Sequence, residues 1–123
     1  MLAEEKLTIS TYARNYLLQN PDFVALVGNK VYPSVAPENT PSPYVIYERD
    51  AYATFDTKFG VYKEEAQVFF EVYSDDYDTG MEIVVKIHNI LQGKHDGFRF
   101  DVIDSAEYYK EKKFRQAILF KIS

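Results

Sequence analysis

The chain has no cysteine and no tryptophan, and only two methionines and two histidines among its 123 residues. Without cysteine there is no disulfide framework, no thiolate nucleophile and no cysteine-based zinc site. His88 and His95 are the whole supply of imidazole bases. The five glycines stand singly, so no glycine-rich loop exists to cradle a phosphate. No apolar run approaches the roughly 20 residues of a membrane-spanning helix. The start, MLAEEKLTIS, is acidic and lacks the basic-then-apolar layout of a secretion signal. A soluble chain made in the cytoplasm, without membrane contact, is the expectation. Its formal charge of -5 argues against affinity built on neutralising nucleic-acid phosphates.

What is abundant is apolar and aromatic. Hydrophobic residues make up 46% of the chain, enough for one core, and the length suits a single domain over residues 1–123. Eleven tyrosines and nine phenylalanines supply large rigid surfaces suited to sheet faces and protein contacts.

The periodicities order these residues into elements. Ile9, Tyr12, Ala13, Tyr16 and Leu17 fall on one helical stripe within Thr8 to Gln19. Asn20-Pro21 ends that helix, and a short second one follows around Phe23, Leu26 and Val27 with Gly28 as its stop. Val31 to Pro43 holds four of the five prolines and reads as a stiff extended connector. Tyr44 to Asp50 is a first strand, Ala51 to Tyr62 a loop or frayed hairpin, and Lys63 to Ser74 a second strand with strict alternation. SDDYDTG opens a helix carrying Ile83, Val84, Ile87, Ile90 and Leu91 on one stripe, ended by Gly93. Phe98 to Ile103 and Lys113 to Ile122 are the last strands, joined through Ser105 to Lys112. The expected fold is α+β: a four-stranded, mainly antiparallel sheet with two main helices on one face, in the order α-β-β-α-β-β.

A search for chemistry finds no catalytic set. No serine lies in a strand-turn-helix elbow or near a histidine in sequence. His88 reads as a helix residue beside the apolar stripe and His95 as a turn residue. Asp75, Asp76 and Asp78 loosely resemble a calcium loop, but the glycine at the sixth position and the distal glutamate are missing, and helix capping accounts for them better. No catalytic residue, metal ligand or cofactor site is assigned. Lys110, Lys112, Lys113 and Arg115 form the only basic cluster, beside Tyr108 and Tyr109. Glu107 and Glu111 interrupt it, so a solvated hairpin tip is favoured over a nucleic-acid grip.

The sheet poses a physical problem. Helices on one face leave the other to water, and that face is expected to carry Phe69 and Tyr73 together with Tyr47 and Leu119. Sheets with one wet face normally place polar residues there, and large apolar patches mark partner surfaces. The simplest cover is another copy of the chain, with Tyr47, Phe69, Tyr73 and Leu119 as the subunit interface.

Three segments carry a resemblance. Leu26-Val27-Gly28 with Val31-Tyr32-Pro33, then Pro43-Tyr44-Val45-Ile46-Tyr47, then Val68 to Tyr73 running into a helix, together resemble the small tail completion, or tail terminator, proteins of long-tailed bacteriophages. The resemblance covers nearly the whole chain. It implies a non-enzymatic subunit of a ring, often a hexamer, that caps the tail tube and takes part in head-tail joining. The implied partners are other copies of the chain, the tail-tube protein and a head-completion protein, with DNA passing through the channel unbound. The implied location is the virion tail of a phage or prophage, after assembly in the bacterial host cytoplasm. The competing reading is a ferredoxin-like small-molecule binding or regulatory domain, since such sheets host many functions.

Overall fold

The structure is a computed structural model that describes residues 7–56 and 62–123, with side chains described outside 51–64. Its elements are helix α1 (Ile9–Leu18), helix α2 (Pro21–Val27), strands β1 (Val31–Pro33), β2 (Tyr44–Asp56) and β3 (Tyr62–Ser74), helix α3 (Tyr77–Leu91), and strands β4 (Gly93–His95), β5 (Phe98–Lys110) and β6 (Lys113–Ile122). The six strands form one sheet in the order β1-β2-β3-β6-β5-β4. The β1–β2 pair is parallel and every other pair antiparallel. The expected four-stranded sheet with two helices is therefore corrected, among the described residues, to a six-stranded mixed sheet with three helices. Among the described residues no helix is long and apolar enough to cross a membrane.

Each correction has a local cause. The proline-dense connector contains a three-residue strand, Val31 opposite Val45 through Pro33 opposite Tyr47. Pro33 is tolerated because it ends an edge strand, where a missing N–H breaks no ladder. Gly93 to His95 turns back on Phe98 to Phe100 through Asp96 and Gly97, both at positive φ, as a two-residue hairpin requires. Ala51 to Asp56, expected as loop, continues β2 against Tyr62 to Gln67. The rest of that expected loop, residues 57–61, lies outside the described residues. Strand β5 runs to Lys110, seven residues beyond Ile103, where the sequence pattern stops alternating.

The helix boundaries follow their caps. The Asn20 side chain accepts a bond from the Phe23 amide at 3.1 Å, and Pro21 occupies the first position of α2, where its missing N–H costs nothing. The Asp76 carboxylate accepts from the Thr79 amide at 2.9 Å and opens α3. Asp75 instead pairs with Lys113 at 2.9 Å. The acidic run thus caps and anchors the helix.

The core lies between helices and sheet. Ile9, Ala13 and Leu17 of α1, Phe23 and Val27 of α2, and Ile83, Ile87 and Leu91 of α3 pack on Ala66, Val68, Phe70 and Val72 of β3 and Ile118, Phe120 and Ile122 of β6. Phe120 meets both Phe70 and Phe100 edge-on, with ring centroids 6.1 and 6.2 Å apart, the arrangement that aromatic quadrupoles favour. The Tyr12 hydroxyl ties α1 to the β4–β5 turn by donating to the Asp96 carboxylate at 2.6 Å.

Two predictions follow from these contacts. Glu111 and Lys112 link β5 to β6 with φ of 55° and 62°, the left-handed region that side chains resist. Lys112→Gly should raise stability to urea by about 1 kcal/mol; an unchanged or lower midpoint would show that the turn is unstrained. Burial, helped by Asp96, pushes the Tyr12 phenol up to about 12. A phenol raised on folding stabilises fully below its ordinary value near 10, and that stabilisation is lost as pH climbs from there to about 12. Tyr12→Phe should flatten this alkaline part of the stability profile, and urea melts at pH 9 to 12 measure it.

Candidate assembly surface

Strict alternation along β3 and β6 decides what faces the helices. Even-numbered residues from Ala66 to Ser74 and from Gln116 to Ile122 are buried, and the odd-numbered ones between them are half-buried on the opposite, open face. Phe69, Tyr73 and Leu119 lie on that open face, as expected. Phe69 and Leu119 are direct cross-strand partners.

Tyr47 does not join them. It pairs with Phe70, stacks toward that ring and sits in the core at 7% exposure. The placement of Tyr47 on the open face is corrected. The register of β2 with β3, Val45 opposite Val72 and Tyr47 opposite Phe70, turns Val45 and Tyr47 to the helices and Ile46, opposite Glu71, the other way. The proline-rich segment descends beside Tyr44, Ile46 and Tyr73, forming one wall of a cleft of about 620 Å³. It buries Ile46.

The open face therefore has two parts. At one end Tyr44 stacks on Tyr73 with ring centroids 4.8 Å apart. The Arg115 guanidinium lies 4.5 Å above the Tyr73 ring and 5.6 Å from that of Tyr108. Glu71 accepts from the Tyr108 hydroxyl at 2.9 Å and pairs with Arg115 at 3.7 Å. Burial, with Glu71 alongside, pushes the Tyr73 phenol up, so it stays a neutral donor. Arg115, expected at a solvated hairpin tip, is instead clamped between two rings and two carboxylates, with Glu111 the second at 3.3 Å. This end is a rigid charged clasp. At the other part, Phe69 and Leu119 line a shallow depression of about 180 Å³ with Ala106 and Ala117, and Asp50 and Asp104 at its rim. Its lining comes from the four long strands alone.

Four of the nine exposed large hydrophobics among the described residues gather on one strand. Val102, Ile103, Tyr108 and Tyr109 all lie on β5, with Ile103 at 45% and Tyr109 at 60% exposure. A bulge at Ile103, between the pairs Val102–Phe120 and Asp104–Leu119, turns that side chain out of the ladder. From Val102 to Lys110 the strand is exposed on both faces. The sequence did carry a signal for this: Tyr108-Tyr109 are adjacent in a strand, so they must face opposite ways and one must lie outside the core.

The histidines take structural places. His95 lies in β4, donates from Nε2 to the Leu91 carbonyl at 2.8 Å and packs 4.5 Å from the Tyr16 ring. His88 meets the Asn89 side chain at 3.0 Å. Among the described residues no three His, Cys, Asp or Glu side chains gather as a metal site.

No protein-family profile matches the chain, and no curated protein matches it. Among solved structures it is similar to a chain of the "Virion of native gene transfer agent (GTA) particle". The two share 20% identity and a TM-score of 0.75, over 97% of this chain and 94% of the other. At that identity the likeness is one of fold.

Arg115→Met should cost about 2 kcal/mol in urea denaturation, because it removes the cation that balances Glu71 and stacks on the Tyr73 ring. Lys113→Met, which breaks only an exposed pair, should change stability far less. Equal small effects from both would contradict the clasp.

Proposed function

We propose that this chain is a structural subunit of a long-tailed phage, prophage or related particle, forming a ring that terminates the tail tube and takes part in head-tail joining. The observation that carries the reading is the sheet itself: helices shield one face, while Phe69 and Leu119 on the other are lined only by neighbouring strands. A subunit designed to stand alone would place polar side chains there. The near full-length fold likeness to a chain of a virion particle supports the setting. The tail-terminator resemblance of Leu26-Val27-Gly28, Val31-Tyr32-Pro33 and Pro43 to Tyr47 supports the tail as the place within it.

The ring interface uses Phe69 and Leu119, with the Tyr73 clasp holding that face rigid beside them. Head-to-tail contacts of this kind bring one patch against a different patch of the next copy and close into a ring when the rotation allows. The chain's net negative charge keeps the passing duplex from adhering, and no catalytic step is assigned. The partners are further copies, the tail-tube protein and a head-completion protein.

Phe69→Lys and Leu119→Lys should each fold, by circular dichroism, yet fail to form rings visible in negative stain. Rings formed by both variants would remove the interface. Adding the wild-type chain to polymerising tail-tube protein should fix tube length, and tubes that keep growing would contradict the terminator role.

A further inference from the structure

Among the described residues, strand β5 has no outer neighbour along most of its length. Strand β4 pairs only with Phe98 to Phe100, and among the described residues nothing pairs with the outer side of β5 beyond that point. Reciprocal bonds between Arg99 and Ser123 fix which way the backbone groups point. Followed through the bulge, the ladder aims the N–H and C=O of Asp104, Ala106 and Tyr108 at β6, and those of Ser105, Glu107 and Tyr109 outward. Two amides at the upper end are already capped: Val102 donates to the Gln92 side chain at 2.9 Å and Ser105 to the Asp104 carboxylate at 2.8 Å. The open stretch thus runs from the Ser105 carbonyl to Tyr109.

Among the described residues, the opposite edge of the sheet is also open beyond β1. Strand β1 covers β2 only from Val45 to Tyr47. The Val45 amide donates to the Lys30 carbonyl and the Tyr47 carbonyl accepts from the Ser34 amide, so the next outward residue is Arg49. Among the described residues no strand pairs with this side of β2 from Glu48 onward.

We infer that these two edges meet between copies: the open edge of β5 adds, antiparallel, to the outer edge of β2 of a second copy, with Lys110 opposite Glu48. The inference rests on the ring reading and supplies its backbone contact. Counting along the sheet, β5 and β2 run in opposite directions, so copies placed side by side in one orientation present an antiparallel pair. In this register outward Tyr109 meets outward Arg49. Beyond it the β2 bulge at Asp50 turns the Ala51 backbone toward β3, so the next outward residue is Tyr52 and the pair continues through the bulge with Glu107 opposite Tyr52. The charges agree: Lys110 faces Glu48, and Arg49 lies across from the exposed Tyr109 ring.

Strand β1 also forces a stagger. Without one, Tyr108 would lie level with Tyr44, beside the stretch that β1 occupies. The proposed register carries Tyr108 to the level of Asp50, about six residues or about 20 Å along the strand. Stagger of this kind is what closing a sheet into a ring demands. The same contact removes the hazard of an exposed, aromatic edge strand by pairing it.

Tyr109→Pro deletes an outward N–H, a change that edge strands accept, whereas Tyr109→Ala keeps it. By sedimentation velocity, Tyr109→Ala should assemble like wild type and Tyr109→Pro should lose the assembled fraction about tenfold or more. In the wild-type oligomer, the amides of Glu107, Tyr109 and Arg49 should exchange hydrogen about tenfold or more slowly than in the dilute monomer. An oligomer whose edge amides exchange as in the monomer, or a Tyr109→Pro variant that assembles fully, overturns the edge pairing and leaves the ring reading intact. Protection of Glu107 and Tyr109 without Arg49 overturns β2 as the partner in favour of a β5–β5 dimer. A wild-type chain that stays monomeric at every concentration, with tail-tube protein present, overturns both.

Discussion

A single sheet with helices for only one of its faces sets the terms for everything else in this molecule. The alternation along β3 and β6 sends Val68, Phe70, Val72, Ile118, Phe120 and Ile122 under the helices without a break. A shift of one residue would exchange both faces, so burial of that stripe holds the register firmly. The same alternation leaves Phe69, Glu71, Tyr73, Arg115 and Leu119 on the other side. What the core requires on one face determines which groups the chain offers on the other.

The open face is not uniform, and its two parts work differently. The Tyr44, Tyr73, Arg115, Glu71 and Tyr108 cluster satisfies most of its own charge and ring contacts, which makes it rigid and specific. Among the described residues, the Arg115 Nε is the one buried side-chain nitrogen or oxygen without a partner. The Phe69 and Leu119 depression has no such internal satisfaction and is flat enough to accept a complementary surface. Beside it, β5 leaves the shelter of the helices at Val102 and presents aromatic side chains and unpaired backbone together. Both features lie on the flank of the sheet where only the short strand β4 intervenes.

Much of this was legible in the sequence, and the misses have physical reasons. Period 3.6 in the helices and period 2 in β3 placed the core, and capping residues placed the helix starts. Short edge strands left no comparable trace: three residues cannot establish a period, and β1 hid within a proline-dense stretch. The length of β5 was missed because alternation fails where neither face is buried, which is the condition of Asp104 to Lys110. Tyr47 was misplaced because Val45-Ile46-Tyr47 is apolar throughout, and only the register against β3, with Tyr47 opposite Phe70, decides which residues face the helices. The basic cluster around Arg115 looked solvated because the rings that clamp it come from β3 and from the neighbouring part of β5.

The account holds that the open face and edge are completed by another copy of the same chain. Hydroxyl-radical footprinting at rising protein concentration tests this most directly. Phe69, Leu119 and Tyr109 should become protected as the chain associates, while the exposed Met81 of α3 stays reactive. Association with Phe69, Leu119 and Tyr109 as reactive as in the monomer, or protection confined to α3, would contradict it.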